Sequence, residues 1–365
     1  MHRKTITHAM TRRTLLQTSA AAGVAAAGGL LAAPAIAQAR SLKVGAYGGY
    51  FENSFKEHVY PEFTKATGIE VESVTQSDST GWMLTMQQAK AAGIVPADVS
   101  LFTPFSLIKG SRIGDLYAPF DPERIPNLSN LDEKFLHRDE AGLTGVAAMS
   151  FFYSMVINTD EVERPESWAE FWDTGRFEAS LGLPKGYNWF FLDIIAATFF
   201  DGAASFETRE GIEALIAKAA EIRPNVGLWY GSESQMEQAL KNYDVVAGEY
   251  FHDVTGLMAA DGHPVASIFP KEGNPISHNS WTLSPLSEKS DEAHEFVNFS
   301  CDPATQAIMS RKIGTAPVVD PSLTDLSQEE LDAVSGTPTI TPAYEAYIDN
   351  ESFIQEAWNK MVAGA

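Results

Sequence analysis

The sequence predicts an α/β fold divided into two lobes, each a mainly parallel sheet flanked by helices. Residues 42–102 alternate strand and helix signals as β-α-β-α-β, the pattern of parallel strands joined by helical crossovers. A long apolar run at 145–158 leads into a second α/β set, and a chain of 365 residues exceeds what one hydrophobic core usually serves.

Residues 42–47 read as the first strand, broken by Gly48-Gly49 before a helix over about 53–67. Gly68-Ile69-Glu70-Val71-Glu72-Ser73-Val74 alternates apolar and acidic residues at the strand period, 82–92 has helical spacing, and 97–102 is a third strand ending at Thr103-Pro104. In such sheets ligands meet the loops at the carboxyl ends of the strands, here 47–51 and 102–105. Met149, Phe151, Tyr153, Met155 and Ile157 alternate in the apolar run, which predicts an extended segment leaving the first lobe.

In the second set, Glu166-Ser167-Trp168 opens a helix through Trp172 and 179–184 is a short strand. Residues 190–200 form a strongly apolar helix and 211–222 an amphipathic one, with strands at 245–250 and 265–270. Trp281-Thr282-Leu283 returns to the first lobe, where 291–299 and 303–311 are helical, and the tail over 343–362 carries a helix with Trp358. The expected division is 40–148 plus 277–320 for the first lobe and 149–276 plus 321–365 for the second.

Residues 1–39 read as an export leader. Thr11-Arg12-Arg13-Thr14-Leu15-Leu16-Gln17 sets two arginines before an uncharged Ala/Gly/Leu stretch that ends in Ala35-Ile36-Ala37 and Ala37-Gln38-Ala39, a twin-arginine-type signal peptide cleaved after Ala37 or Ala39. A periplasmic, signal-free protein is the expectation. The leader holds four of the 26 basic residues and none of the 48 acidic ones, so 22 face 48 after cleavage and the net charge is −26. That surface repels phosphate backbones and anionic lipid, which argues against nucleic-acid and membrane partners. Cys301 is the single cysteine, too far from the leader to take a lipid and unable to form an intrachain disulfide.

Familiar enzyme signatures are absent. There is no G-x-S-x-G elbow, no Walker-type loop, no G-x-G-x-x-G, no C-x-x-C and no H-E-x-x-H. His58, His137, His252, His263, His278 and His294 are scattered, with no i, i+4 pair for a metal; His294-Glu295 begins like a zinc helix, but Asn298 stands at the second ligand position. No catalytic residue, metal or cofactor is expected.

The Tyr47-Gly48-Gly49 loop, Phe63-Thr64-Lys65-Ala66-Thr67-Gly68-Ile69-Glu70-Val71, Val156-Ile157-Asn158, Ser167-Trp168-Ala169-Glu170-Phe171-Trp172 and Pro270-Lys271-Glu272-Gly273 stand in one order along the chain. Together they resemble the spermidine/putrescine-type periplasmic substrate-binding proteins of bacterial ABC importers. The resemblance implies a periplasmic binding protein-like fold, with a hinge at 147–152 and 274–281, an interlobe ligand cleft, and docking of a monomeric receptor on a membrane permease. It also implies cleft carboxylates for ammonium groups, one in the loop after the second lobe's first strand and one in the returning hinge. Here those positions hold Asn188 and Asn279, with Lys185 adding a positive charge, so a linear polyamine loses its charge-assisted bonds.

Glu249 and Asp253, after a predicted strand, are the remaining acids for an amine, although Asp253 is equally placed to cap the next helix. Tyr47, Tyr50, Phe105, Trp189, Phe251 and Trp281 offer rings for stacking at the loops, and Gly48 and Gly49 allow close backbone approach. Thr103, Lys185, Asn188, Ser277 and Asn279 complete the candidate site as polar groups able to hold a carboxylate. The expected cargo is a small amine-containing, amino-acid-like or opine-like solute. A polyamine receptor and a ferric-ion receptor of the same fold are the alternatives, the latter without the usual Tyr-Tyr dipeptide, and an enzyme of unrecognised type is a third.

Overall fold

The computed structural model describes residues 40–364 apart from Gly49 and Asp78; the predicted leader lies outside the described residues. Among the described residues, eleven strands join in one mixed sheet. They are β1 (Ser41–Tyr47), β2 (Glu70–Gln76), β3 (Val99–Phe102), β4 (Leu136–Asp139), β5 (Gly142–Asn158), β6 (Leu181–Pro184), β7 (Val226–Tyr230), β8 (Ala247–Phe251), β9 (Val265–Ile268), β10 (Asn274–Leu283) and β11 (Thr339–Ile340). The main path runs β2-β1-β3-β10-β5-β8-β6-β7.

Each end of that path is parallel, as helical crossovers demand: β1 pairs with β2 and β3, and β6 pairs with β7 and β8. The middle is antiparallel. β10 pairs with β3 on one side and β5 on the other, and β5 continues to pair with β8. With 17 residues β5 reaches roughly 55 Å, far beyond an ordinary strand, so one strand serves both halves of the molecule. Its partners divide accordingly: Val146–Phe152 faces β10, and Tyr153–Ile157 faces β8.

Two main hydrophobic clusters flank this crossing. One gathers Leu42, Val44, Phe55, Phe63, Leu101 and Phe296; the other gathers Met155, Leu183, Phe191, Ile195, Leu215 and Trp358. The helix Arg209–Glu221 buries Ile212, Leu215 and Ala219, an i, i+3, i+7 stripe, and Thr208 caps it by accepting from the Gly211 amide at 3.1 Å. The last helix, Glu351–Ala363, buries Ile354, Trp358 and Met361, and the Trp358 indole donates to the Lys185 carbonyl at 2.9 Å. The tail thus covers the second cluster.

Several elements differ from the pattern-based expectation. The predicted helix over 53–67 contains a π turn, Phe55–Val59, just before Pro61. Proline has no amide to donate, and the Tyr60 amide reaches back to the Phe55 carbonyl instead. β7 is a strand the pattern does not assign: Pro224, Gly227 and Gly231 punctuate the stretch, yet Leu228 and Tyr230 pack on a third small cluster with Met236 and Tyr250. The tail is two helices, Tyr344–Asp349 and Glu351–Ala363, parted at Asn350. Ser167 opens a 3-10 turn, Trp168–Trp172, with a complete capping box to Glu170.

Candidate ligand-binding site

The crossing of β5 and β10 brings the loops of both halves together. Tyr47 ends β1, and its hydroxyl lies 2.5 Å from Ser79 Oγ and donates to Asn279 Oδ1 at 3.2 Å. Asn279 sits where the β10–β5 register shifts, a bulge that re-aims side chains at the junction. Beside it Ser277 accepts from the Tyr344 hydroxyl at 3.2 Å. Thr103 precedes the helix Pro104–Ile113 and donates its amide to Ser79 Oγ at 3.4 Å. A Cβ at Gly48 would lie 2.7 Å from the Thr75 methyl, so only glycine lets the chain turn there without a shift.

From the second half an aromatic layer faces this polar edge. Tyr153 packs at ring distances of 5.1 Å on Phe251, 5.6 Å on Phe151 and Phe190, and 6.0 Å on Trp189. The Tyr153 hydroxyl makes no hydrogen bond among the described residues. The charged or ionisable groups acting on it are Tyr344, Glu249, Glu233 and Tyr47, after burial, which is the main cause pushing it far above an ordinary phenol. Residues from β1, β5, β8 and the tail therefore converge on one point.

Acids lie beneath and beside the layer. Glu249 is fully buried, and neither carboxyl oxygen has a partner. Burial, then the Asp193 charge, drives its carboxyl well above the usual carboxylate range. Asp193, also buried, accepts from the Ala343 amide at 2.8 Å and the Tyr347 hydroxyl at 2.7 Å, and burial still raises it to about 7. Asp253 is raised to about 6 by burial and leaves Oδ1 unpartnered. Glu233 keeps an open surface but is hemmed in by protein, and burial followed by the Asp253 and Glu237 charges lifts it to about 7. No basic side chain pairs with Glu233, Glu249 or Asp253 among the described residues.

The fifteen sequence-derived candidates separate. Tyr47, Gly48, Thr103, Phe251, Trp189, Glu249, Ser277 and Asn279 border or underlie the junction. Phe105 is buried and joins the second hydrophobic cluster although its helix rises from β3. Trp281 is a correction. It lies two residues, about 7 Å, further along β10 than Asn279, inside the first cluster against Phe55 and Phe296, with its indole donating to Ser300 Oγ at 2.8 Å. Lys185 is exposed; its backbone, not its ammonium, is engaged, by Tyr230 and Trp358. Asp253 is not the N-cap of the helix His252–Ala260, which starts after Phe251; it stands in the first turn. Gly49 and the side chains of Tyr50 and Asn188 lie outside the described residues.

Tyr153, Tyr344 and Glu233 were missed. Tyr153 was legible as one of the alternating residues of β5, but alternation alone does not separate junction from core. Glu233 follows β7, whose flanking Pro and Gly hide the strand signal and with it the residue after its end.

Residues 59–333 match the family model of bacterial extracellular solute-binding proteins. A gamma-aminobutyric acid-binding protein of Pseudomonas aeruginosa is 24% identical over 346 residues, 91% of this chain and 94% of the relative. The spermidine/putrescine-binding periplasmic protein 1 of Haemophilus influenzae is 24% identical over 262 residues, 69% of each chain. An ABC transporter substrate-binding protein from Bradyrhizobium japonicum shares the fold with a TM-score of 0.76 at 18% identity, over 88% of this chain and 99% of that one. With a family match across three quarters of its length and a two-cluster α/β fold around a crossing pair of strands, the chain belongs to the bacterial extracellular solute-binding proteins, receptors that hold a small molecule for a transporter's permease and catalyse no reaction.

Proposed function

We propose that the cargo is a small amine-containing solute of the γ-amino-acid kind, seated between Tyr47, Ser277 and Asn279 on one side and Tyr153, Trp189 and Phe251 on the other, with its ammonium drawn to Glu249. The observation that carries this reading is Glu249 itself, fully buried with both oxygens unpaired. A buried carboxylate without a counter-charge is costly, and an ammonium ligand supplies both the charge and the hydrogen bonds. The aromatic layer adds surface for the methylene chain and, for a cation, about 0.5–2 kcal/mol per ring. The Pseudomonas relative, by its name, binds such a molecule.

A linear diamine is the second reading, favoured by Glu233 and Asp253, which add two further raised acids. The rest of the reading is a monomeric receptor with lobes near 40–148 plus 277–320 and 149–276 plus 321–365. It works in the periplasm once the twin-arginine leader is removed and does not bind nucleic acid. Among the described residues no helix is long and apolar enough to cross a membrane.

Calorimetric titration with γ-aminobutyrate, putrescine, spermidine and butyrate tests the assignment. One-to-one binding of γ-aminobutyrate with none of butyrate is expected. Binding of butyrate as tight as that of its amino derivative would remove the ammonium from the account, and preference for putrescine would select the second reading.

A further inference from the structure

The helix Pro104–Ile113 follows β3 in the first half of the fold, whereas the two C-terminal helices cover the second cluster. Charged side chains join them. Lys109 Nζ contacts both oxygens of Glu351, at 2.7 and 2.9 Å, while Arg112 donates to Asp349 at 2.6 Å and to Glu345. Glu351 also accepts from the Tyr187 hydroxyl at 2.7 Å, and Tyr187 shares the short turn Tyr187–Trp189 with the aromatic layer.

This pair is no ordinary surface contact. The Lys109 and Glu351 side chains are 21% and 28% exposed, against 76% and 46% for Lys65 and Glu62. Burial alone would raise the Glu351 carboxyl, yet the Lys109 and Tyr187 bonds outweigh it and hold the group below the usual range. The β5–β10 ladder, continuous from Phe152 to Met149, joins the two halves, and the Lys109–Glu351 pair joins them a second time.

We propose that Glu351 is an interlobe positioning residue: bound at once to Lys109 and Tyr187, it fastens the aromatic turn of one lobe to a helix of the other and sets the lifetime of the closed state. The proposal rests on the solute-binding reading for its purpose. Partly buried ion pairs act mainly on dissociation, so Lys109→Glu or Glu351→Lys is expected to speed release of γ-aminobutyrate about five- to tenfold with little change in association. The swap Lys109→Glu with Glu351→Lys restores most of that loss.

The decisive experiment omits ligand. Nitroxide labels at Glu123→Cys and Glu210→Cys, both exposed and one in each lobe, report the interlobe distance by electron–electron resonance; the native Cys301 is buried. The single reversals are expected to populate a longer distance, and the swap to return it. Glu351→Gln replaces any reversal that fails to fold. Unchanged distances in every single variant, or a swap that does not restore them, would overturn the proposal. Failure of γ-aminobutyrate to bind the wild type would instead count against the ligand reading alone.

Discussion

Glu249 on β8 lies within reach of the charge of Asp193 on the helix Phe191–Phe199, and neither carboxyl is neutralised by a basic side chain among the described residues. Two buried acids therefore lie close together, with no basic side chain paired to either among the described residues. That juxtaposition determines how the ligand-free protein responds to pH.

Both acids keep their protons in the folded chain over a range in which the unfolded chain, with carboxyls near 4, has lost them. The stability they contribute is complete below that unfolded value and is lost as pH rises through the raised folded-state values, about 7 for Asp193 and well above the usual carboxylate range for Glu249. Urea denaturation from pH 5 to 8 is expected to show falling stability, with a shallower slope in Glu249→Gln. An equal or steeper slope in that variant would mean that Glu249 is not the group that titrates.

The same linkage gives ligand binding the opposite sign. An ammonium pairs with the ionised form of Glu249, so γ-aminobutyrate affinity should rise between pH 5 and 8 while ligand-free stability falls. Titrations at three pH values check this, and affinity that weakens across that range contradicts it.

Two tryptophans that look alike in the sequence should behave differently. Trp281→Ala removes a ring from the first cluster and is expected to cost about 3–5 kcal/mol of stability, with the affinity of the folded fraction unchanged. Trp189→Ala opens the aromatic layer and should weaken binding about tenfold at a smaller stability cost. Reversal of these two outcomes would restore Trp281 to the site.

How much was legible follows from which signals are local. The parallel units of both halves could be read because Leu42, Val44 and Ala46, or Ile212, Leu215 and Ala219, carry the period of their own element. The long strand β5 could be read because Met149 to Ile157 alternate. Placement across the junction could not. Ser277, Asn279 and Trp281 share the same alternation, and only the register shift between Asn279 and Ser280 separates two junction residues from a core residue. Glu249 was legible as an acid near a strand end, but its lack of a basic partner among the described residues is a property of the packed chain. The contact of Lys109 with Glu351 spans 242 positions and has no sequence signature at all.

The central claim is that the buried carboxylate of Glu249 receives the ammonium of the cargo. Its most direct test is calorimetric titration of γ-aminobutyrate at pH 8 into the wild type and Glu249→Gln, with folding of both verified by circular dichroism. The account predicts one-to-one binding by the wild type and at least a tenfold loss in the variant, the equivalent of about 1.4 kcal/mol. Equal affinity in the two proteins would contradict it.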